Sequence, residues 1–223
     1  MLKTPTIVLN VKTYAEATAE KVIEIAELMD KIAKELDVNM AIAVQATDIQ
    51  ICAQKVSIPV FAEHIDPIRP GSHTGWTLPE AVKNAGAIGT LINHSEHRLI
   101  LADIDVCINR AKELGLDQII CSNNVATSKA IATFSPNFVA VEPPELIGGD
   151  ISVTTADPDI ISNSVEAVQK INKNVKVLCG AGVKNGKDVA KAIELGADGV
   201  LLASGIVKAK DKESVIRDLA SGI

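Results

Sequence analysis

The stretch Ile7-Val8-Leu9-Asn10-Val11-Lys12-Thr13-Tyr14 decides between two folds that the rest of the chain allows. It is a short aliphatic run, of strand rather than helix length, that ends in polar residues. An open doubly wound sheet that binds a dinucleotide places a Gly-x-Gly-x-x-Gly turn directly after its first strand, because glycine lets the main chain approach the pyrophosphate. No glycine occurs here. The run instead opens a strand–helix alternation that continues to the end of the chain. Alternation without that turn favours an α/β fold of the closed (β/α)8 type, with the doubly wound sheet as the second choice.

Strands are expected at Ile7–Val11, Met40–Val44, Val60–Ala62, Thr90–Ile92, Gln118–Cys121, Phe138–Val141, Lys176–Cys179 and Gly199–Leu202. Amphipathic segments lie between them. Val22, Ile25, Ala26, Met29, Ile32, Ala33 and Leu36 recur at steps of three and four, so a helix is expected over Glu16–Leu36; Leu101, Ile104, Ile108, Ala111 and Leu114 repeat the pattern. Gly86, Gly115 and Gly196 stand where helices give way to strands, the place for a left-handed C-terminal cap. Eight units in 223 residues come to about 28 residues each, which suits one barrel domain over 1–223 rather than two domains.

Composition limits the function. Hydrophobic residues make up 47% of the chain and aromatics 2%, so the core is expected to be built from Val, Ile, Leu and Ala. The net charge is −6 with lysines and arginines scattered, which argues against nucleic acid as a partner. The absence of a long uninterrupted apolar run argues against a membrane span, and the N-terminus lacks the pattern of a signal peptide, so a cytoplasmic protein is expected. Cys52, Cys107, Cys121 and Cys179 are too dispersed for a Cys-x-x-Cys pair and read as reduced, packed thiols. The spacing of His64 and His73 does not make a metal site, and none is expected.

Working residues of a barrel enzyme sit just past the C-terminal ends of its strands. Those positions hold Asn10 and Lys12 after the first strand, His94, Ser95 and Glu96 after the fourth, and Glu142 after the sixth. Gly180-Ala181-Gly182 follows the seventh and Ala203-Ser204-Gly205 the eighth. Strands two, three and five are expected to end in less reactive residues. Singly, each of these is more easily a surface charge, a cap or a turn. Together at one mouth they answer one another. Small residues let main-chain N–H groups approach an oxyanion, and Lys12 draws an anion toward a negatively charged protein. A carboxylate such as Glu142 can remove a proton beside a carbonyl if His94 or Asn10 stabilises the enolate oxygen.

At these residues the chain resembles the triosephosphate isomerase family in its shorter archaeal form. The resemblance runs through the whole chain and is anchored by Asn10–Tyr14, Leu91–Arg98, Val139–Gly148, Cys179–Val183 and Gly199–Gly205. It implies a TIM barrel and a cofactor-free isomerase that interconverts dihydroxyacetone phosphate and D-glyceraldehyde 3-phosphate through an enediolate, in glycolysis and gluconeogenesis. Glu142 is then the base, and a neutral His94 the hydrogen-bond donor to the substrate oxygens. Lys12 is the electrostatic partner, Asn10 an additional donor, and Glu96 a support behind the site. The main chain of Gly148, Gly182, Ala203 and Ser204 holds the phosphate, and residues 143–150 form a lid.

The resemblance also implies a homo-oligomer, a tetramer by the archaeal pattern or a dimer by the common one, with Trp76 in a subunit-contact loop. Two details depart from the common family: Glu145-Leu146 replaces the lid tryptophan, and Gly182 replaces a serine. Archaeal forms share both changes. Gly149-Asp150 departs further, standing where archaeal members commonly have Thr-Gly.

Two rivals remain at this stage. A phosphosugar aldolase needs a Schiff-base lysine inside a strand, and a metal-dependent epimerase needs several strand-end His and Asp ligands; neither set is present. A non-catalytic phosphometabolite-binding protein has no need of both His94 and Glu142.

Overall fold

The computed structural model describes residues 1–143 and 158–223. Eight parallel strands close into a barrel in sequence order, β1 pairing with β2 on one side and with β8 on the other. The strands are β1 (Thr6–Asn10), β2 (Asn39–Val44), β3 (Val60–Ala62), β4 (Gly89–Ile92), β5 (Asp117–Ser122), β6 (Phe138–Val141), β7 (Lys176–Cys179) and β8 (Gly199–Leu202). The expected strands all exist, with ends shifted by at most one residue. The helices described are α1 (Glu20–Leu36), α2 (Ile49–Lys55), α3 (Pro79–Asn84), α4 (Leu101–Glu113), α5 (Val125–Ala132), α6 (Pro158–Ile171), α7 (Gly186–Glu194), α8 (Ser204–Val207) and α9 (Lys212–Ala220).

The two-residue period of a strand sorts its side chains into two cores. Val8, Ala41, Ala43, Phe61, Leu91, Ile119, Cys121, Phe138, Ala140, Leu178 and Leu201 fill the inside of the barrel. The alternate positions, among them Ile7, Leu9, Ile42, Ile92, Val139 and Val177, meet the helices outside. The purely aliphatic core expected from composition is corrected here: Phe61 and Phe138 are the bulkiest fully buried side chains. Phe61 fits because the residue opposite is Gly89, where an added Cβ would fall 2.2 Å from its ring.

The expected first helix is also corrected. A single 3-10 turn covers Ala15–Ala17, and α1 starts only at Glu20, after Ala19 adopts a left-handed φ of 56°. Gly86, Gly115 and Gly196 all have positive φ, as their capping role requires. No helix among the described residues is long and apolar enough to cross a membrane.

Candidate active site

Strand periodicity aims the residues of the mouth. In β6, Phe138 and Ala140 face inward, so Glu142, two residues further on, points into the C-terminal mouth. Its N–H donates to the Ser122 carbonyl at 2.7 Å, and it is only 3% exposed. Gly180 lies alongside, its N–H bonded to the Val141 carbonyl at 2.8 Å. A Cβ at Gly180 would stand 2.6 Å from Glu142 Cγ, so glycine is what allows the carboxylate this position. Beneath lies the Cys121 thiol; burial and then the charge of Glu142 hold its pKa well above the usual range.

In β4 the inward residue is Leu91, and Asn93 then takes a left-handed φ of 61°, which turns His94 into the mouth. The turn is pinned by Asn93 Nδ2 donating to the Cys121 carbonyl at 2.9 Å and by the Leu99 N–H donating to Asn93 Oδ1 at 2.9 Å. Nε2 of His94 lies 3.1 Å from Glu142 Oε1. Its Nδ1 accepts the N–H of Glu96 at 3.2 Å, which leaves the ring proton on Nε2, facing Glu142.

Lys12 reaches the same space from the end of β1. It also has a left-handed backbone, φ 51°, an arrangement that non-glycine residues adopt at some cost and that gathers at functional sites. Its N–H donates to Asn10 Oδ1 at 3.1 Å and its Nζ to Glu96 Oε1 at 2.8 Å. Glu96 thus holds the lysine by its side chain and the histidine by its main chain.

Opposite these groups lie the loops after β7 and β8. Gly182 has φ 68°, and Ser204 and Gly205 open α8, where the first N–H groups of a helix have no intrahelical partner. The whole encloses a cavity of about 580 Å³ lined by Asn10, Lys12, Tyr14, His94, Glu96, Glu142, Gly180–Lys184, Leu201–Gly205 and Lys208. A hollow of about 410 Å³ adjoins it and adds Thr13, Glu63, His64 and His97.

Asn10, Lys12, His94, Glu96, Glu142, Gly182, Ala203 and Ser204, each expected from sequence, line the first cavity together. Gly148, Asp150 and all of the expected lid beyond Pro143 lie outside the described residues. Sequence reasoning missed Tyr14, Lys184 and Lys208, the last with its Nζ 4.7 Å from the centre of the Tyr14 ring. The expectation that strand three ends without a reactive group is corrected. Glu63 continues the inward parity of Phe61 and enters the mouth, and that period-two step was the signal available. His64 bonds Asp66 Oδ1 at 3.1 Å and stacks on His97 at 4.2 Å.

Fold and mouth define a (β/α)8 barrel whose candidate site is built at the strand C-termini. The sequence model of the triosephosphate isomerase family matches residues 5–219, and the chain belongs to that family. It is 54% identical over 213 residues to the triosephosphate isomerase of Methanocaldococcus jannaschii, covering 96% of this chain and 97% of that one. It is 52% identical over 220 residues to that of Methanobrevibacter smithii, covering 99% of both. A crystal structure of triosephosphate isomerase from Bartonella henselae shares the fold at a TM-score of 0.77 and 16% identity, over 95% of this chain and 97% of that chain.

Proposed function

We propose that the protein is a cofactor-free aldose–ketose isomerase that interconverts dihydroxyacetone phosphate and D-glyceraldehyde 3-phosphate, a step of glycolysis and gluconeogenesis. The observation that carries this reading is the Glu142–His94 pair, 3.1 Å apart, at one side of a cavity whose other side is two main-chain-rich loops.

The chemistry follows from the groups. A phosphate seated on the N–H groups of Gly182, Ala203 and Ser204 brings the carbonyl-bearing carbons of a triose toward Glu142 and His94. The Glu142 carboxylate takes the proton from the carbon next to the carbonyl, and the electron pair moves onto the carbonyl oxygen to give an enediolate. The Nε2–H of His94 donates to that oxygen, with Asn10 as a second donor and the Lys12 ammonium offsetting the charge. A proton passes by way of His94 from the adjacent hydroxyl to the former carbonyl oxygen, and Glu142 returns its proton to the former carbonyl carbon as the hydroxyl-bearing carbon becomes the new carbonyl. Glu96 acts by fixing Lys12 and His94.

We further infer a cytoplasmic, homo-oligomeric protein with the whole chain 1–223 as one domain, and favour a tetramer over a dimer. Apolar exposure supports the self-association: Trp76 is 53% exposed in the loop after β3, and Ile100 and Leu101 are 67% and 54% exposed at the start of α4.

The test is a coupled triose-phosphate isomerisation assay on wild type and Glu142→Gln, with phosphate-ligand binding measured in parallel. Turnover by wild type and its loss in the variant are expected. Normal phosphate-ligand binding with no activity in either protein would overturn the enzyme reading.

A further inference from the structure

Lys12 and Lys208 line one cavity but are held in different ways. Lys12 directs its Nζ to Glu96 Oε1 at 2.8 Å. Lys208 stands over an aromatic ring instead, its Nζ 4.7 Å from the centre of Tyr14. No carboxylate among the described residues pairs with it. The difference matters for charge. A carboxylate partner cancels most of an ammonium's field, whereas a ring has no net charge and holds the ammonium through its quadrupole. Lys208 is thus kept in place and stays fully cationic toward whatever enters the cavity.

Both partners of the contact are anchored. The 3-10 turn over Ala15–Ala17 fixes Tyr14, whose carbonyl accepts the Ala17 N–H at 2.9 Å and the Thr18 hydroxyl at 3.0 Å. Tyr14 itself packs, partly buried, against the core outside the barrel. Lys208 closes α8, its N–H donating to the Ser204 carbonyl at 3.0 Å. Residues four apart on a helical turn are neighbours on one face, so Lys208 stands one turn beyond Ser204, and both line the same cavity. The described wall carries three lysines, Lys12, Lys184 and Lys208, against two glutamates, Glu96 and Glu142. Removing Lys208 leaves the two signs in balance, so its charge makes this spot attractive to an anion on a chain of net charge −6.

We propose that Lys208 is an anion-capturing residue of the site, held in place by the Tyr14 ring. Its ammonium draws the phosphate end of the substrate toward the loops of Gly182, Ala203 and Ser204 and adds a charge-assisted contact to their main-chain donors. Lys12 then serves the reacting end of the substrate, and Lys208 the end that does not react. The phosphate role rests on the isomerase reading above; the capture of a dianion does not.

The experiment compares wild type, Lys208→Gln, Lys208→Arg, Tyr14→Phe and Tyr14→Leu. Steady-state kinetics gives kcat and KM, and calorimetry gives the Kd of inorganic sulfate. Both are measured in sodium chloride at about 0.02 M and about 0.5 M, which shortens the screening length from about 20 Å to about 4 Å. Lys208→Gln should raise KM and Kd about fivefold at low salt, the scale of one unit charge acting at about 4 Å through water. The loss should fall in KM and Kd rather than in kcat, and should shrink to less than about twofold at high salt. Tyr14→Leu releases the lysine and should raise both constants about threefold at low salt. Lys208→Arg keeps the charge and Tyr14→Phe the aromatic face, and each should retain most of the affinity.

Wild-type KM and Kd in Lys208→Gln overturn the proposal, as does a rise that is equal at both salt concentrations, since lost packing is not screened. Wild-type affinity in Tyr14→Leu overturns it too. If Tyr14→Leu does not fold, Lys208→Gln decides alone, because Lys208 is exposed. A sulfate Kd that depends on Lys208 in a wild-type protein without isomerase activity upholds the capture site while sinking the isomerase reading.

Discussion

His94 Nε2 and Glu142 Oε1 stand 3.1 Å apart, so the donor and the carboxylate of the mouth hold each other until a ligand comes between them. The other oxygen of Glu142, Oε2, is sealed and has no hydrogen-bond partner among the described residues. A carboxylate with so little solvation is already shaped for proton abstraction, since little water must be removed when substrate arrives. Glu142→Gln should therefore lower kcat about a thousandfold, within the usual range for loss of a general base, while sulfate binding persists. A steady-state assay beside calorimetry separates the two effects.

Glu142→Asp withdraws the same chemistry by one methylene. A displacement of about 1 Å at a reacting group is enough to cost about a hundredfold, and the loss should appear in kcat with KM little changed. A rise in KM with kcat unchanged would place Glu142 in binding instead.

Gly180→Ala tests the packing behind that carboxylate. The new Cβ falls 2.6 Å from Glu142 Cγ and 3.0 Å from the Val141 carbonyl oxygen, and the main chain is held by the ladder, so the side chain must yield. We expect a fall in kcat of about a hundredfold and a stability loss of about 1–3 kcal/mol, read by denaturant unfolding.

Glu63 makes stability depend on pH. Burial holds its proton in the folded protein up to about 8, against an ordinary value of 4.5, so the folded state binds more protons than the unfolded chain between those limits. The favourable contribution is complete below about pH 4.5 and is lost as pH rises through about 8. Glu63→Gln should therefore melt a few degrees above wild type at about pH 9, and the gap should close toward about pH 4.5. Calorimetric melts at the two pH values check it.

The thiols should be inert in the folded state. Burial pushes Cys52 up to about 11 and Cys107 and Cys179 up to about 12, and all four cysteines are buried. Alkylation at about pH 8 should label none of them until denaturant is added, because the thiolate is the reactive form. Mass spectrometry counts the adducts.

Much of this site was legible in the chain because strand ends are legible. Asn10 and Glu142 fall on the inward parity of their strands, and Gly182, Ala203 and Ser204 follow strands whose aliphatic runs mark their own ends. Glu63 was passed over because a strand of three residues gives too little alternation to fix which side its successor faces. Tyr14 and Lys208 come together from opposite ends of the chain, a contact that no local pattern encodes. The start of α1 was misplaced because Ala19 adopts its left-handed backbone without a glycine or asparagine to announce it. The inward Phe61 depends on the glycine opposite, and composition alone is blind to such pairs.

The register of β6 and β7, Val141 opposite Cys179, sets Glu142 beside Gly180. That ladder belongs to a ring in which every strand has two neighbours, so a slip at one pair has to be absorbed all the way round. A one-residue slip would also turn the inner side chains outward. The spacing between proton carrier and anion loops is thus inherited with the sheet and is not free to drift. Redesign of this scaffold for a longer or bulkier substrate has to proceed through its loops, using the separation that the strands already fix as a ruler.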